Sequence, residues 1–392
     1  MNNWRFTRDG SSGLEQHLAD SCKRVASELV EIVGADKLEA VVLGGGYGRG
    51  EGGVLRTSSG DQPYNDLEFY VFLKGNRLLN ERAFGRDFVE LGKCLSPEAG
   101  LHVEFKIESI PHFRNLPVSI FSYDLVAGHK TILGEDPWSA GWDRHHDPSA
   151  IPLSEASRLL FNRCTGLLLA QEILNNTGRQ QSGGLCELTA AEADFIGRNL
   201  AKAQLSLGDS VLVAFGLYDW SCLERGRRLS QLTFKETMPW LKPIQIHHAA
   251  GVEFKLHPRK ISKPISVFDE ECRTLGALAL QIWLWLETRR LGCRFESARD
   301  YSFYQGAKYP GTSALRNYLL NIRSFGAKAA LAPLSLRYPR ERLLNALSLL
   351  LWKNDPGNES QTLRHLQKQL CTNAADWTGF VSAYKKLWVQ YG

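Results

Sequence analysis

A chain of 392 residues, 43% hydrophobic and 23% charged with a formal net charge of +5, has the composition of a globular protein with room for two or three cores. No uncharged apolar run approaches the ~20 residues that cross a bilayer, and the start, Met1-Asn2-Asn3-Trp4-Arg5, lacks the apolar core of a signal peptide. Eight cysteines, scattered without a C-x-x-C or a tight Cys/His spacing, read as reduced thiols and point to a cytoplasmic protein with no membrane partner.

In chain order, the first element is a helix over Leu14–Val33, where Leu14, Leu18, Val25, Leu29 and Val33 form one apolar stripe that Gly34 closes. A short strand, Val41-Val42-Leu43, then stops at Gly44-Gly45-Gly46, where the backbone is free to turn and to approach a ligand. Gly48-Arg49-Gly50-Glu51-Gly52-Gly53 fits G-x-G-x-x-G, but it lies past the strand and an acid-bearing strand follows it. A dinucleotide site is therefore not expected, and no P-loop occurs in this stretch. Leu55–Tyr64, rich in Ser, Gly, Asp and Pro, reads as a surface loop. In the strand Asn65–Phe72, alternation sends Leu67, Phe69 and Val71 one way and Asp66 and Glu68 the other, and the acid face continues as Tyr70 and Phe72. This places two carboxylates at the rim of a covered sheet.

Glu81–Leu95 reads as a helix broken by Pro97 and Gly100, and a third strand, Leu101–Ile107, shows His102, Glu104 and Lys106 on one face. Glu108 shares that face at the far end of the strand, which favours Glu104 as the acid of interest. Ser119–Gly134 reads as a short helix and a brief strand, followed by a turn-rich linker in which His145-His146-Asp147 is taken as solvated.

The order of these motifs resembles the nucleotidyltransferase superfamily whose core is shared with DNA polymerase β. Gly45-Gly46 matches the family's strand-end glycines, Arg49-Gly50 the arginine-glycine that follows, Asp66-Leu67-Glu68 the acid pair, and Glu104 the third acid. The departure is the 20-position interval from Gly46 to Asp66, longer than in compact members. Tyr123-Asp124-Leu125 and Ile132-Leu133-Gly134-Glu135 are similar to the end of the catalytic domain in bacterial small-molecule nucleotidyltransferases, so the resemblance covers about residues 40–136.

Beyond Leu153 the chain turns helical: Leu153–Leu174, Ala190–Tyr218, Glu270–Arg290, Ala314–Ala330, Pro339–Trp352 and two closing segments, with a Gln/Ser/Gly loop after the first. Trp220–Pro264 reads as less regular and basic. Arg198–Asp209 resembles the substrate-side helix of related enzymes, in which a lysine reaches the triphosphate, and Lys202 takes that position. Residues 1–150 carry 16 Lys+Arg against 22 Asp+Glu, whereas 151–392 carry 31 against 20, an asymmetry suited to a metal on one side and an anionic ligand on the other.

The expectation is thus an α+β chain: a nucleotidyltransferase domain of mixed sheet and helices over 1–150, a helical substrate- and nucleotide-binding domain over 151–300, and a basic helical extension over 301–392. The resemblance implies transfer of a nucleotidyl group from a nucleoside triphosphate, ATP being the expected donor, to a small hydroxylated acceptor. Asp66, Glu68 and Glu104 would be the catalytic and metal-holding acids for Mg2+ or Mn2+, with Gly45, Gly46, Arg49 and Lys202 at the nucleotide. An inactive nucleotide-binding or interaction module and an RNA-directed transferase are the alternatives. Basic and aromatic residues interleaved over 301–350 keep the latter open, though a small acceptor ranks above nucleic acid.

Overall fold

The computed structural model describes residues 4–180, 187–234, 238–326, 334–352 and 360–391. The chain groups into two compact units, neither a single run of sequence. One gathers Met1–Glu155, Val211–Thr237 and Gln245–Lys260; the other gathers Ala156–Ser210, Met238–Ile244 and Ile261–Gly392. The expected boundary at 150 falls close to the first crossing, whereas the one at 300 has no counterpart in this grouping.

The first unit begins with α1 (Ser12–Val33), β1 (Leu38–Leu43), α2 (Gly45–Gly48), β2 (Val54–Thr57), β3 (Gly60–Pro63) and β4 (Leu67–Leu73). It continues with α3 (Arg77–Ala99), β5 (Val103–Glu108), α4 (Ile110–Arg114), α5 (Ile120–Ala127), β6 (Lys130–Gly134) and α6 (Asp143–His146). The Ser11 side chain caps the start of α1, and Gly34, at φ 84°, ends it. α3 is longer than expected because Pro97 sits in its last turn, where the helix ends anyway at Gly100 in the left-handed region. The stretch expected to be a surface loop is a hairpin: β2 pairs antiparallel with β3, and the Tyr47 hydroxyl accepts from the Tyr64 amide while donating to the Gly53 carbonyl.

The main sheet is mixed, in the order β5-β4-β1-β6, with β1 antiparallel to both neighbours and β4 parallel to β5. Leu67, Phe69 and Val71 turn toward α1 and α3, joining Leu18, Leu29, Phe88 and Leu91 in one core layer. Tyr70 and Phe72 turn to the opposite face, against Phe113, Leu125, Trp138 and Trp142. Leu18 and Leu29 are fully buried, so truncating either to alanine would cost about 2–5 kcal/mol.

The remaining elements are α7 (Leu153–Gln180), α8 (Ala190–Ala214), α9 (Cys222–Gln231), α10 (Leu241–Leu256), α11 (Ile265–Leu291), α12 (Ala298–Phe303), α13 (Ala314–Phe325), α14 (Arg340–Trp352), α15 (Ser360–Leu370) and α16 (Trp377–Tyr391). A small mixed sheet followed by a helical C-terminal region is thus an α+β arrangement. Trp220–Pro264 is more regular than expected, being largely α9 and α10. The Gln/Ser/Gly loop and the last residues of the expected Ala314–Ala330 helix lie outside the described residues. In the second unit α14 is buried on every side, packing on α11, α12, α15 and α16. Among the described residues no helix is long and apolar enough to cross a membrane.

Candidate functional site

Strand direction assembles the site. Because β1 runs antiparallel to β4, its C-terminal end and the glycine turn arrive where β4 begins, with Leu43 opposite Phe69. Because β5 runs parallel to β4, Glu104 stands directly beside Glu68, about 4.8 Å away strand to strand. Both carboxylates occupy the Tyr70 face of the sheet, and the Tyr70 hydroxyl donates to Glu68 Oε2 at 3.2 Å. Burial, then the negative charge of Glu68, pushes the Tyr70 phenol far above its ordinary value, so it remains a donor. Lys106 reaches Glu104 at 3.7 Å and covers the Tyr70 ring at 5.5 Å.

The glycine turn fits closely against these acids. Gly45 has φ +63°, and a Cβ there would lie 3.3 Å from Glu68 Oε1. At Gly48 a Cβ would come within 2.1 Å of the Leu43 carbonyl oxygen, so no other residue closes this turn. Gly44 donates to the Glu68 carbonyl at 2.9 Å, fixing turn to strand. The short α2 starts here, and its first amides have no partner within so short a helix.

Arg49 leaves the far side of the turn to pair with Asp124 on α5, at 2.6 Å. Burial opposes its charge, but Asp124 holds the guanidinium above its usual value. The pair is incompletely satisfied: Arg49 Nε and Asp124 Oδ1 are buried with no hydrogen-bond partner among the described residues. Tyr218 donates to Asp124 Oδ2 at 3.3 Å, and the Arg225 guanidinium lies over the Tyr218 ring at 4.9 Å while donating to the Asp219 and Trp220 carbonyls. Glu51, directly after the turn, binds Ser221 Oγ at 2.5 Å and the Cys222 amide at 2.8 Å, and so docks the start of α9.

Lys255, near the end of α10, completes the cluster. Its carbonyl oxygen would lie 3.0 Å from a Cβ at Gly53. It is partly buried, and burial, followed by the positive charges of Arg49 and Arg225, lowers its ammonium to about 8. No carboxylate among the described residues forms an ion pair with it. A lysine held beside two arginines, with no ion pair of its own among the described residues, can attract an anionic ligand.

Glu68, Glu104, Gly45, Gly46 and Arg49 therefore meet around one end of the sheet, with exposed Asp66 just before β4. Lys202 does not belong to this unit; it is exposed on α8 in the other. Glu108 is occupied elsewhere, pairing with His112 at 2.9 Å and Arg77 at 3.4 Å. In the His145-His146-Asp147 stretch, expected to be solvated, His145 is buried and its ring meets the Leu116 carbonyl. Among the described residues no group of three or more His, Cys, Asp and Glu side chains is disposed to hold a metal ion. The hard oxygen donors of Glu68 and Glu104 do suit Mg2+ or Mn2+, which take one or two carboxylates and fill the remaining positions with water or phosphate oxygens.

Sequence reasoning missed Asp124 as a partner of Arg49, and it missed Arg225 and Lys255 altogether. Ser221-x-x-Glu224 was an available sign, since Ser221 Oγ accepts from the Glu224 amide at the start of α9. No local sign marks Lys255. No protein-family model matches the chain, and neither the curated proteins nor the solved structures offer a match to it.

Proposed function

We propose that this unit is the catalytic centre of a metal-dependent nucleotidyltransferase, with ATP as the expected donor and a small hydroxylated molecule as acceptor. The observation that carries the reading is the register of Glu68 beside Glu104, at the end of the sheet where the glycine turn delivers Arg49 toward the Arg225 and Lys255 cations. Carboxylates on one side and cations on the other match the divided needs of a nucleoside triphosphate. Magnesium, when bound, supplies positive charge at the α-phosphate and at the departing pyrophosphate.

The protein's own part follows from placement. Glu68 and Asp66 would hold the cation, and at the glycine turn the absence of side chains would admit phosphate oxygens to the backbone amides. Lys255, Arg49 and Arg225 draw in the β- and γ-phosphates. Glu104 orients the acceptor hydroxyl and takes its proton as the oxygen bonds to the α-phosphorus. The bond from that phosphorus to the bridging oxygen breaks, and its electron pair leaves with pyrophosphate.

The deciding measurement is pyrophosphate release from each of the four nucleoside triphosphates with Mg2+ or Mn2+, using pooled hydroxylated metabolites, RNA and the protein itself as acceptors. Release that disappears in Asp66→Ala and Glu68→Ala proteins of unchanged fold supports the reading. Near wild-type release in either variant removes it. The alternative is a nucleotide-binding module of the same fold without turnover. Calorimetric ATP binding with no pyrophosphate from any acceptor would favour that alternative.

A further inference from the structure

A second cationic site lies at α4 and α6, apart from the carboxylate pair and the glycine turn. A cavity of about 280 Å³ is lined by Arg114, Asn115, Gly141, Trp142, Arg144 and His145. No acid lines it, and among the described residues neither arginine forms an ion pair with a carboxylate. Both are nevertheless held in place: the Arg114 guanidinium lies over the Trp142 ring at 5.2 Å, and Arg144 donates to the Leu116 carbonyl at 3.0 Å. His145 faces the same carbonyl through Nε2 at 3.2 Å, which assigns the proton of the neutral ring to that nitrogen.

Trp142 supplies an independent sign. It is 2% exposed, wedged among Phe113, Trp138 and His145, yet its indole N–H has no acceptor among the described residues. A buried donor left unmade costs about 1–3 kcal/mol. Trp142 lines the cavity, and an acceptor oxygen that reaches its indole N–H there would remove that cost. The electrostatics agree: burial lowers the His145 pKa, and the Arg144 guanidinium lowers it further against the opposing hydrogen bond to the Leu116 carbonyl.

From this geometry we infer that the cavity binds the phosphate group of a small molecule, with Arg114 and Arg144 as paired donors and the Trp142 indole as a third. Two guanidinium groups lining one cavity offer N–H donors that suit a tetrahedral dianion better than a single carboxylate. The cavity admits one such group with a small substituent, so free phosphate and a phosphate ester share the chemistry.

Isothermal titration of the full chain with inorganic phosphate, and separately with glycerol 3-phosphate, tests it. Saturable binding is expected to weaken at least tenfold in an Arg114→Ala/Arg144→Ala protein and a few-fold in Trp142→Phe, which keeps the ring and loses the donor. It should persist in Lys255→Met, which alters the other cationic site. Ester binding as tight as phosphate binding identifies a phosphorylated metabolite as the ligand; binding of phosphate alone identifies the free ion. Both arginines are exposed, so the double variant should keep its melting temperature, and Trp142→Phe with Arg144→Gln repeats the test if it does not. No saturable binding in the wild type, binding indifferent to the arginines, or binding lost in Lys255→Met would each overturn the inference.

Discussion

Two lysines are lowered to about 8 by burial, and their surroundings differ in a way that separates support from function. Lys308, 1% exposed, has its ammonium 4.5 Å from the Tyr301 ring centre and 5.5 Å from that of Tyr304. The charges acting on it most strongly are the carboxylates of Glu341 and Glu287, so its charge is answered within the fold. Lys255 is less buried, and the charges that act on it first include Arg49 and Arg225, while nearby Asp124 is already committed to Arg49. Arg49 and Arg225 have partners within the fold, Asp124 for one and the Asp219 and Trp220 carbonyls for the other, which leaves Lys255 as the cation of the three that makes no ion pair with a carboxylate and has no such carbonyl contact among the described residues. A charge balanced by the chain stabilises structure; a charge left unbalanced at a glycine turn calls for a ligand.

The acids of β5 put the largest effect on this contrast. Glu104 has a loose, half-exposed contact with Lys106, whereas Glu108 is buried and paired twice. Glu104→Ala should lower pyrophosphate release by about a thousandfold or more, equivalent to ~4 kcal/mol of barrier, with the melting temperature unchanged. Glu108→Ala should do the reverse, lowering stability in urea by about 1–3 kcal/mol through the stranded Arg77 and His112 and sparing turnover. Interchanged results would move the third acid to Glu108.

A similar pairing in the helical unit sets the scale for a balanced charge. Glu287, 1% exposed, accepts from Ser157, Tyr301 and Arg290 at 2.5–2.9 Å. Glu287→Ala would leave the Arg290 guanidinium without its carboxylate, and a loss of about 3–5 kcal/mol in chemical denaturation is expected. A loss under 1 kcal/mol would mean that burial and completeness of pairing do not distinguish the two kinds of cluster.

Lys255→Met should weaken ATP binding about 10- to 100-fold, or ~1.4–2.8 kcal/mol, and Lys308→Met should leave it within twofold, both read by calorimetry. Stability should move differently from affinity at Lys255. Its folded value of about 8 lies below the ~10.4 of an unfolded chain. Below pH 8 the ammonium therefore opposes folding, and the opposition fades as pH rises toward ~10.4. Lys255→Met at pH 7 should consequently keep or raise the melting temperature while losing ligand. A variant that binds poorly because it is unstable would contradict this account.

How much of this was legible beforehand follows from how local each signal is. The strands and the face shared by Asp66, Glu68 and Glu104 follow from a two-residue period, which the sequence displays within a single segment. The glycine turn is equally local, since its tight passage past Leu43 excludes any side chain at Gly48. The cation cluster is not local. Arg49 lies at the turn, but Asp124, Arg225 and Lys255 come from segments far later in the chain that fold into the same unit. The sequence reading placed its triphosphate lysine at Lys202, on a helix whose apolar stripe was plain, and read Trp220–Pro264 as irregular and basic, although it holds α9 and α10. Charge asymmetry between the halves was visible, but not that part of the basic half folds with the acidic one.

The smallest effect is the most specific to Lys255. At pH 7 an amine with a value near 8 is about nine-tenths protonated, and at pH 9 about one-tenth. If that ammonium meets the phosphates, ATP affinity should fall by up to about tenfold between those pH values, with the midpoint displaced upward because the bound anion favours the charged form. Bulk effects of pH act on every variant, so the comparison is with Lys255→Met, in which the fall should vanish. Lys308 has nearly the same value and serves as the internal control: Lys308→Met should retain the full pH response. A response that persists without Lys255, or that disappears without Lys308, would assign the titrating charge to the balanced cluster and undo the distinction between the two lysines.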